Sequence, residues 1–208
     1  METEAAPIRI GRRALLARSP AIVAGGLIAA SSASPALASP PTGPFPAGVP
    51  VPATRPASLL PPTRGVALVQ PNTDERLDAT YMRDGRADDG ALAEINHLMR
   101  DWHTGDVIEI DQGLIDLLCT LQHYVGDGRP IEVFSAYRTK KTNDWLRRHG
   151  RATAKHSLHI EGMAVDMHIP GVRLRTVRDA ARALNAGGVG YYPRSGFVHI
   201  DTGPVRYW

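Results

Sequence analysis

A single cysteine, Cys119, stands among 208 residues, which excludes an internal disulfide. It lies in the apolar helical stretch IDLLCTLQHYV and reads as a core thiol, not a nucleophile. No uninterrupted apolar run approaches the roughly 20 residues that a membrane span needs, so the mature form is expected to have no stable span. No basic run is long, and the formal net charge is only +3, part of it near the N-terminus. Nothing in that balance calls for nucleic acid. No internal repeat is visible, so repeat architectures are excluded as well.

What is present divides the chain in three. Residues 1–38 run from a charged start through Arg12-Arg13 and the apolar PAIVAGGLIAA to Ala36-Leu37-Ala38, a small-x-small cleavage site. That order is the pattern of an export signal peptide. The paired arginines point to the twin-arginine route and hence to the periplasm. Residues 39–64 are crowded with proline and almost uncharged, which predicts an extended tether. Residues 65–208 have the size of one domain with one core, expected to act as a monomer.

Within that domain RGVALVQ and DERLDATYM read as strands around the turn PNTD. ADDGALAEINHLMRDWHTG predicts a helix ended by Gly105, with Asp88 or Asp89 as cap. IDQGLIDLLCTLQHYVGDG predicts a second, buried helix capped by Asp111 and stopped by Gly126. IEVFSAY is a strand, KKTNDWLRRHG a short helix and GMAVDMHI a strand. VRLRTVRDAARALNAGG is a helix ended by Gly187 and Gly188, and VGYY and GFVHIDTG are closing strands. Helices early and strands late predict an α+β fold, an antiparallel sheet packed against helices.

Strand alternation then isolates a chemical face. In AVDMHI, Val165, Met167 and Ile169 point one way, and Ala164, Asp166 and His168 the other. In GFVHID, Val198 and Ile200 oppose Phe197, His199 and Asp201. If these strands are neighbours, His159, Asp166 and His199 converge. Two imidazoles and a carboxylate suit Zn2+ and leave a fourth position open. The same pattern also fits solvated polar residues on the open face of a sheet. His156 fits a cleft lining or a solvated loop, Ser157 a bond to the turn's backbone or to a ligand, and Glu161 has no clear placement. Tyr191, Tyr192 and Trp208 fit either a cleft wall or the core. His97, His103, His123 and His149 are read as helical and given no function.

Ser157-x-His159-x-x-Gly162-x-Ala164-x-Asp166 resembles the SxHxxGxAxD signature of the zinc D-Ala-D-Ala peptidases, the VanX and VanY group. Phe197-Val-His199-Ile-Asp201 resembles the segment that delivers their third ligand. NHLMRDWHTG, SAYR and GGVGYYPRSGFVHIDTGPVRYW are similar to the YcbK (MepK) murein endopeptidases of that superfamily, over essentially all of residues 65–208. The resemblance implies an open zinc cleft with His159, Asp166 and His199 as ligands to one Zn2+. It implies Arg138 as a contact for a substrate carboxylate or carbonyl, which suits its planar fork. Peptidoglycan stem peptides are the implied substrate. One departure matters: the VanX-like enzymes carry a glutamate base three residues before the last histidine, and Gly196 stands there. Asp201 and His168 share the ligand-bearing faces and are the candidate proton carriers, with Asp201 slightly favoured because alternation places it beside His199. Orienting a ligand imidazole is the competing role for Asp201, and an oxyanion-stabilising one for His168. SLHIEGMAVD also resembles the zinc site of the hedgehog signalling domain, so a zinc-bearing binding module without turnover is the alternative.

Overall fold

The computed structural model describes residues 60–150 and 153–208. The segment read as an export signal, and the tether up to residue 59, lie outside the described residues. Leu60 packs against the core, and the first strand starts at Arg64, at the end of the stretch read as tether.

Eight strands form one sheet: β1 Arg64–Gln70, β2 Glu75–Arg83, β3 Arg86–Ala87, β4 Ile131–Ser135, β5 Ala164–His168, β6 Gly188–Tyr192, β7 Phe197–Asp201 and β8 Arg206–Tyr207. Their spatial order is β3-β2-β1-β4-β5-β7-β6-β8. Pairing is antiparallel except at β1–β4 and β6–β8. Four helices are interspersed: α1 Asp89–Leu98, α2 Gln112–Tyr124, α3 Lys140–Arg148 and α4 Leu174–Leu184. The mixed α+β architecture with a mostly antiparallel sheet is the one the element pattern predicts.

One face of the sheet is apolar because alternate strand residues are. Val66, Leu68, Ile131, Val133, Val165, Met167, Val198 and Ile200 are buried there with Ile95, Leu114, Leu118, Leu121, Val177 and Leu184 from the helices. Helix α2 is buried without interruption from Leu114 to Gln122. Its polar members are all engaged: Asp116 accepts from Arg64 at 2.9 Å and from the Tyr81 hydroxyl at 2.7 Å, and Gln122 pairs with the backbone of Ala67. A buried polar group without such partners would cost more than it contributes.

Several element ends differ from the sequence expectation. Helix α1 stops at Leu98, not at Gly105. The buried Asp101 takes over the backbone there, its carboxylate accepting from His103 N and its carbonyl from Gly105 N. Asp111 occupies the cap position of α2, but its side chain accepts from the Thr202 hydroxyl at 2.7 Å and makes no helix-capping bond. Helix α4 ends at Asn185, which adopts the left-handed conformation with φ 49°. Gly187 and Gly188 lie past that end and serve a different purpose. A Cβ at Gly187 would strike the Asp201 carbonyl, and one at Gly188 would stand 2.5 Å from Asp201 Oδ2. These glycines let the incoming backbone run against Asp201. The two-residue strands β3 and β8 were not foreseen.

Candidate metal centre

The centre of the sheet places β5 antiparallel to β7 with Asp166 directly opposite His199 and Ala164 opposite Asp201. Asp166 and His199 therefore share the face turned away from the core. His159 comes from the turn just before β5. That turn closes through Ile160 N to Ser157 O and Met163 N to Leu158 O. It leaves through Gly162, whose φ of +69° and approach to the Glu109 carbonyl exclude a side chain. The glycine of the SxHxxGxAxD pattern is thus a backbone requirement.

The three side chains meet. His159 Nε2 lies 3.3 Å from His199 Nδ1 and 3.4 Å from Asp166 Oδ1, and His199 Nδ1 lies 2.9 Å from Asp166 Oδ1. The second nitrogen of each ring is already spoken for. His159 Nδ1 donates to the Ala136 carbonyl at 2.6 Å, and His199 Nε2 donates to Asp201 Oδ2 at 3.0 Å. With those protons assigned by their acceptors, the atoms that face one another are electron-pair donors. Such a cluster needs positive charge at its middle. Two ligands about 2.1 Å from zinc at a tetrahedral angle stand roughly 3.4 Å apart, close to these separations. The residues present therefore fit a divalent ion bound through His159 Nε2, Asp166 Oδ1 and His199 Nδ1.

The electrostatics express the same demand. Burial pushes the His159 imidazole below its usual value. Burial opposes ionisation of Asp166, but the facing imidazoles outweigh it and hold the carboxyl well below the usual range. Burial would also lower His199, yet its bonds to Asp166 and Asp201 raise it.

Behind His199 stands Asp201, with no exposed surface. Its Oδ1 accepts from Gly188 N, Gly203 N and Arg206 Nη1, and its Oδ2 from His199 Nε2 and Arg206 Nη2 at 2.7 Å. Burial pushes Asp201 up, but His199 and the two backbone donors prevail and keep it at about 2. His168 sits one pleat along β5 from Asp166 on the same face, half-buried, with Nδ1 3.3 Å from Glu132 Oε2 on β4. Arg138 follows β4, and its backbone N donates to His159 O. Its guanidinium lies within the electrostatic reach of Asp166 and Asp101, and its buried Nε has no partner among the described residues. Trp208 is half exposed and lies 5.3 Å from the His199 ring, its indole N–H donating to the Tyr192 hydroxyl at 2.7 Å. Glu161 and His156 are exposed.

Strand alternation brought out Asp166, His168, His199 and Asp201. It did not reveal Arg206, Glu132 or the Ala136 carbonyl. Arg206 reaches Asp201 through a tight Gly203-Pro204 turn, Glu132 is fixed by the register of β4, and a backbone carbonyl has no sequence signature at all.

A His-Asp-His donor set on one face of a sheet, with partners behind the histidines, is the arrangement of a mononuclear metal site. The chain belongs to the peptidoglycan L,D-endopeptidase MepK family, whose pattern matches residues 59–208. Among its relatives, the peptidoglycan L,D-endopeptidase MepK of Escherichia coli (strain K12) is 46% identical over 138 residues, 66% of this chain and 75% of that protein. The Shigella flexneri protein of the same name gives the same figures. The probable peptidoglycan L,D-endopeptidase MepK of Haemophilus influenzae is 42% identical over 138 residues, 66% of this chain and 74% of that protein.

Proposed function

We propose that this chain is an exported zinc metallopeptidase that hydrolyses peptide cross-links of peptidoglycan, at a bond between an L and a D centre as its relatives' names state. The observation that carries the reading is the convergence of His159 Nε2, Asp166 Oδ1 and His199 Nδ1 at tetrahedral-ligand spacing, in a chain 46% identical to a peptidoglycan L,D-endopeptidase. Bound by these three, one zinc ion supplies Lewis acidity, polarising a carbonyl and lowering the pKa of water to about 7.

The remaining work falls to the chain's own side chains. Ala136 O and Asp201 fix the ring orientation of the two histidines. Arg138 offers a charged fork to a substrate carboxylate or carbonyl, supported by its unpartnered Nε and its proximity to Asp166. Trp208 and Tyr192 wall an open cleft on the side of His199. Of the two candidate proton carriers, the geometry favours His168. Asp201 is enclosed and engaged by its donors, whereas His168 is partly exposed on the ligand-bearing face and oriented by Glu132. His168 accepts a proton from the attacking water and returns it to the departing amine. In this reading the domain works as a monomer in the periplasm, delivered by the twin-arginine route and held on a Pro-rich tether.

Gly196, in the place of the VanX-like enzymes' glutamate base, favours a second reading: a zinc-bearing binding module for peptidoglycan or a protein, without turnover. Elemental analysis tests the metal step common to both. The purified domain is expected to carry one zinc per chain. His159→Ala, Asp166→Ala and His199→Ala should each carry far less. Full occupancy in any of the three removes that residue from the ligand set.

A further inference from the structure

Four rings outside the metal centre form a ladder. Trp102 and His103 stack at 3.6 Å between ring centroids, His103 and Trp145 stand at 6.3 Å, and Trp145 and His149 stack at 4.2 Å. Trp102 is 37% exposed. A solvent-facing indole stacked in a series of rings has no role in the core.

The ladder is built from two segments that one buried carboxylate fastens together. Asp101 is 1% exposed. Its Oδ1 accepts from His103 N at 3.0 Å, which fixes the loop carrying Trp102 and His103. Its Oδ2 accepts from Thr139 N and Oγ1, both at 2.9 Å, which fixes the start of α3. Thr139 in turn caps α3 through Thr142 N. Trp145 on α3 and His149 at its C-cap sit one helical turn apart, and His149 Nδ1 donates to the Trp145 carbonyl at 2.8 Å. Held in this way, the rings are set before any ligand arrives.

The ladder adjoins the candidate active site. Arg138 immediately precedes Thr139, and its charge is felt at His103. Burial and that charge push the His103 imidazole below its usual value against the pull of Asp101. Exposed Lys141, Arg147 and Arg148 flank Trp145 on the same helix.

We infer that Trp102, backed by the rings of His103, Trp145 and His149, is a platform for a pyranose ring of a glycan strand that carries the peptide substrate. Sugar rings present flat C–H faces that stack on indoles, while their hydroxyls stay in water. Aromatic faces contribute such contacts at low entropic cost. The neighbouring cations complement carboxylates on the attached peptides. A sugar stacked on Trp102 holds its glycan at the loop that Asp101 ties to Thr139, next to Arg138. The inference rests on the peptidoglycan reading above and adds a sugar subsite to it.

The test begins with binding alone. Peptide-free oligomers of β-1,4-linked N-acetylglucosamine are titrated into the zinc-loaded full chain and followed by tryptophan fluorescence. Saturable quenching is expected, weakened about tenfold in Trp102→Ala and in Trp145→Ala. Trp145→Phe, which keeps a ring, should retain most of the affinity and guards against a variant that merely misfolds. No saturable quenching in the parent, or quenching only by anionic vesicles, overturns the inference. The second arm is kinetic. Trp102→Ala should raise KM for cross-linked dimers that retain their disaccharides and leave kcat unchanged. It should leave KM unchanged for the same dimers stripped of sugar. An equal KM change for both substrates overturns the platform. Sugar binding without turnover supports the platform while removing the peptidase reading, and turnover without sugar binding does the reverse.

Discussion

His199 joins the facing cluster to its support, since Nδ1 faces Asp166 and His159 while Nε2 is held by Asp201. The account gives Asp201 an orienting role, so Asp201→Asn should fold and weaken zinc by about 10–100-fold. Competition with a chromophoric chelator measures it. Unchanged zinc affinity combined with a loss of turnover would return the proton-carrier role to Asp201. His168→Ala is expected to keep its zinc and lose about 10²–10⁴ in turnover. Arg138→Lys keeps the charge but not the planar fork, so it should raise KM for cross-linked muropeptides with zinc content intact. Parental kinetics in that variant would make Arg138 structural.

At the scale of elements, the β5–β7 pair and the backbone that runs beside it decide the site. Gly188 gives its N–H to Asp201 Oδ1, and a Cβ there would stand 2.8 Å from Arg206 Nη1 as well as 2.5 Å from Asp201 Oδ2. Gly188→Ala should therefore lower both the melting temperature and the zinc affinity, measured by thermal unfolding with and without added zinc. Loss of stability alone would uncouple the Asp201 cluster from the metal. The faces of β5 and β7 were legible because a period of two needs only five residues to show which side is apolar. The ends of α1 and α4 were not, because glycine is only one way to stop a helix. Asp101 ended the first through a turn of its own, and Asn185 ended the other in the left-handed region. Strands of two residues carry no period, so β3 and β8 left no trace. The Arg206–Asp201 pair and the aromatic ladder depend on how turns and loops fold back, which no local spacing reports.

For the whole molecule, the order of segments matters as much as the site. Arg12-Arg13→Lys-Lys should block export, and the exported protein should begin near Ser39. N-terminal sequencing of the periplasmic fraction checks both, and unimpaired export of the Lys-Lys variant would indicate the general secretory route. No helix among the described residues is long and apolar enough to cross a membrane. The most direct measurement of the central claim is digestion of purified cross-linked muropeptides by the zinc-loaded chain, by the chelated chain, and by the chelated chain after zinc is restored. The account predicts cleavage of an L,D cross-link in the first, none in the second, and recovery in the third. Muropeptides left intact by a chain carrying one zinc would contradict it and leave a binding module in its place.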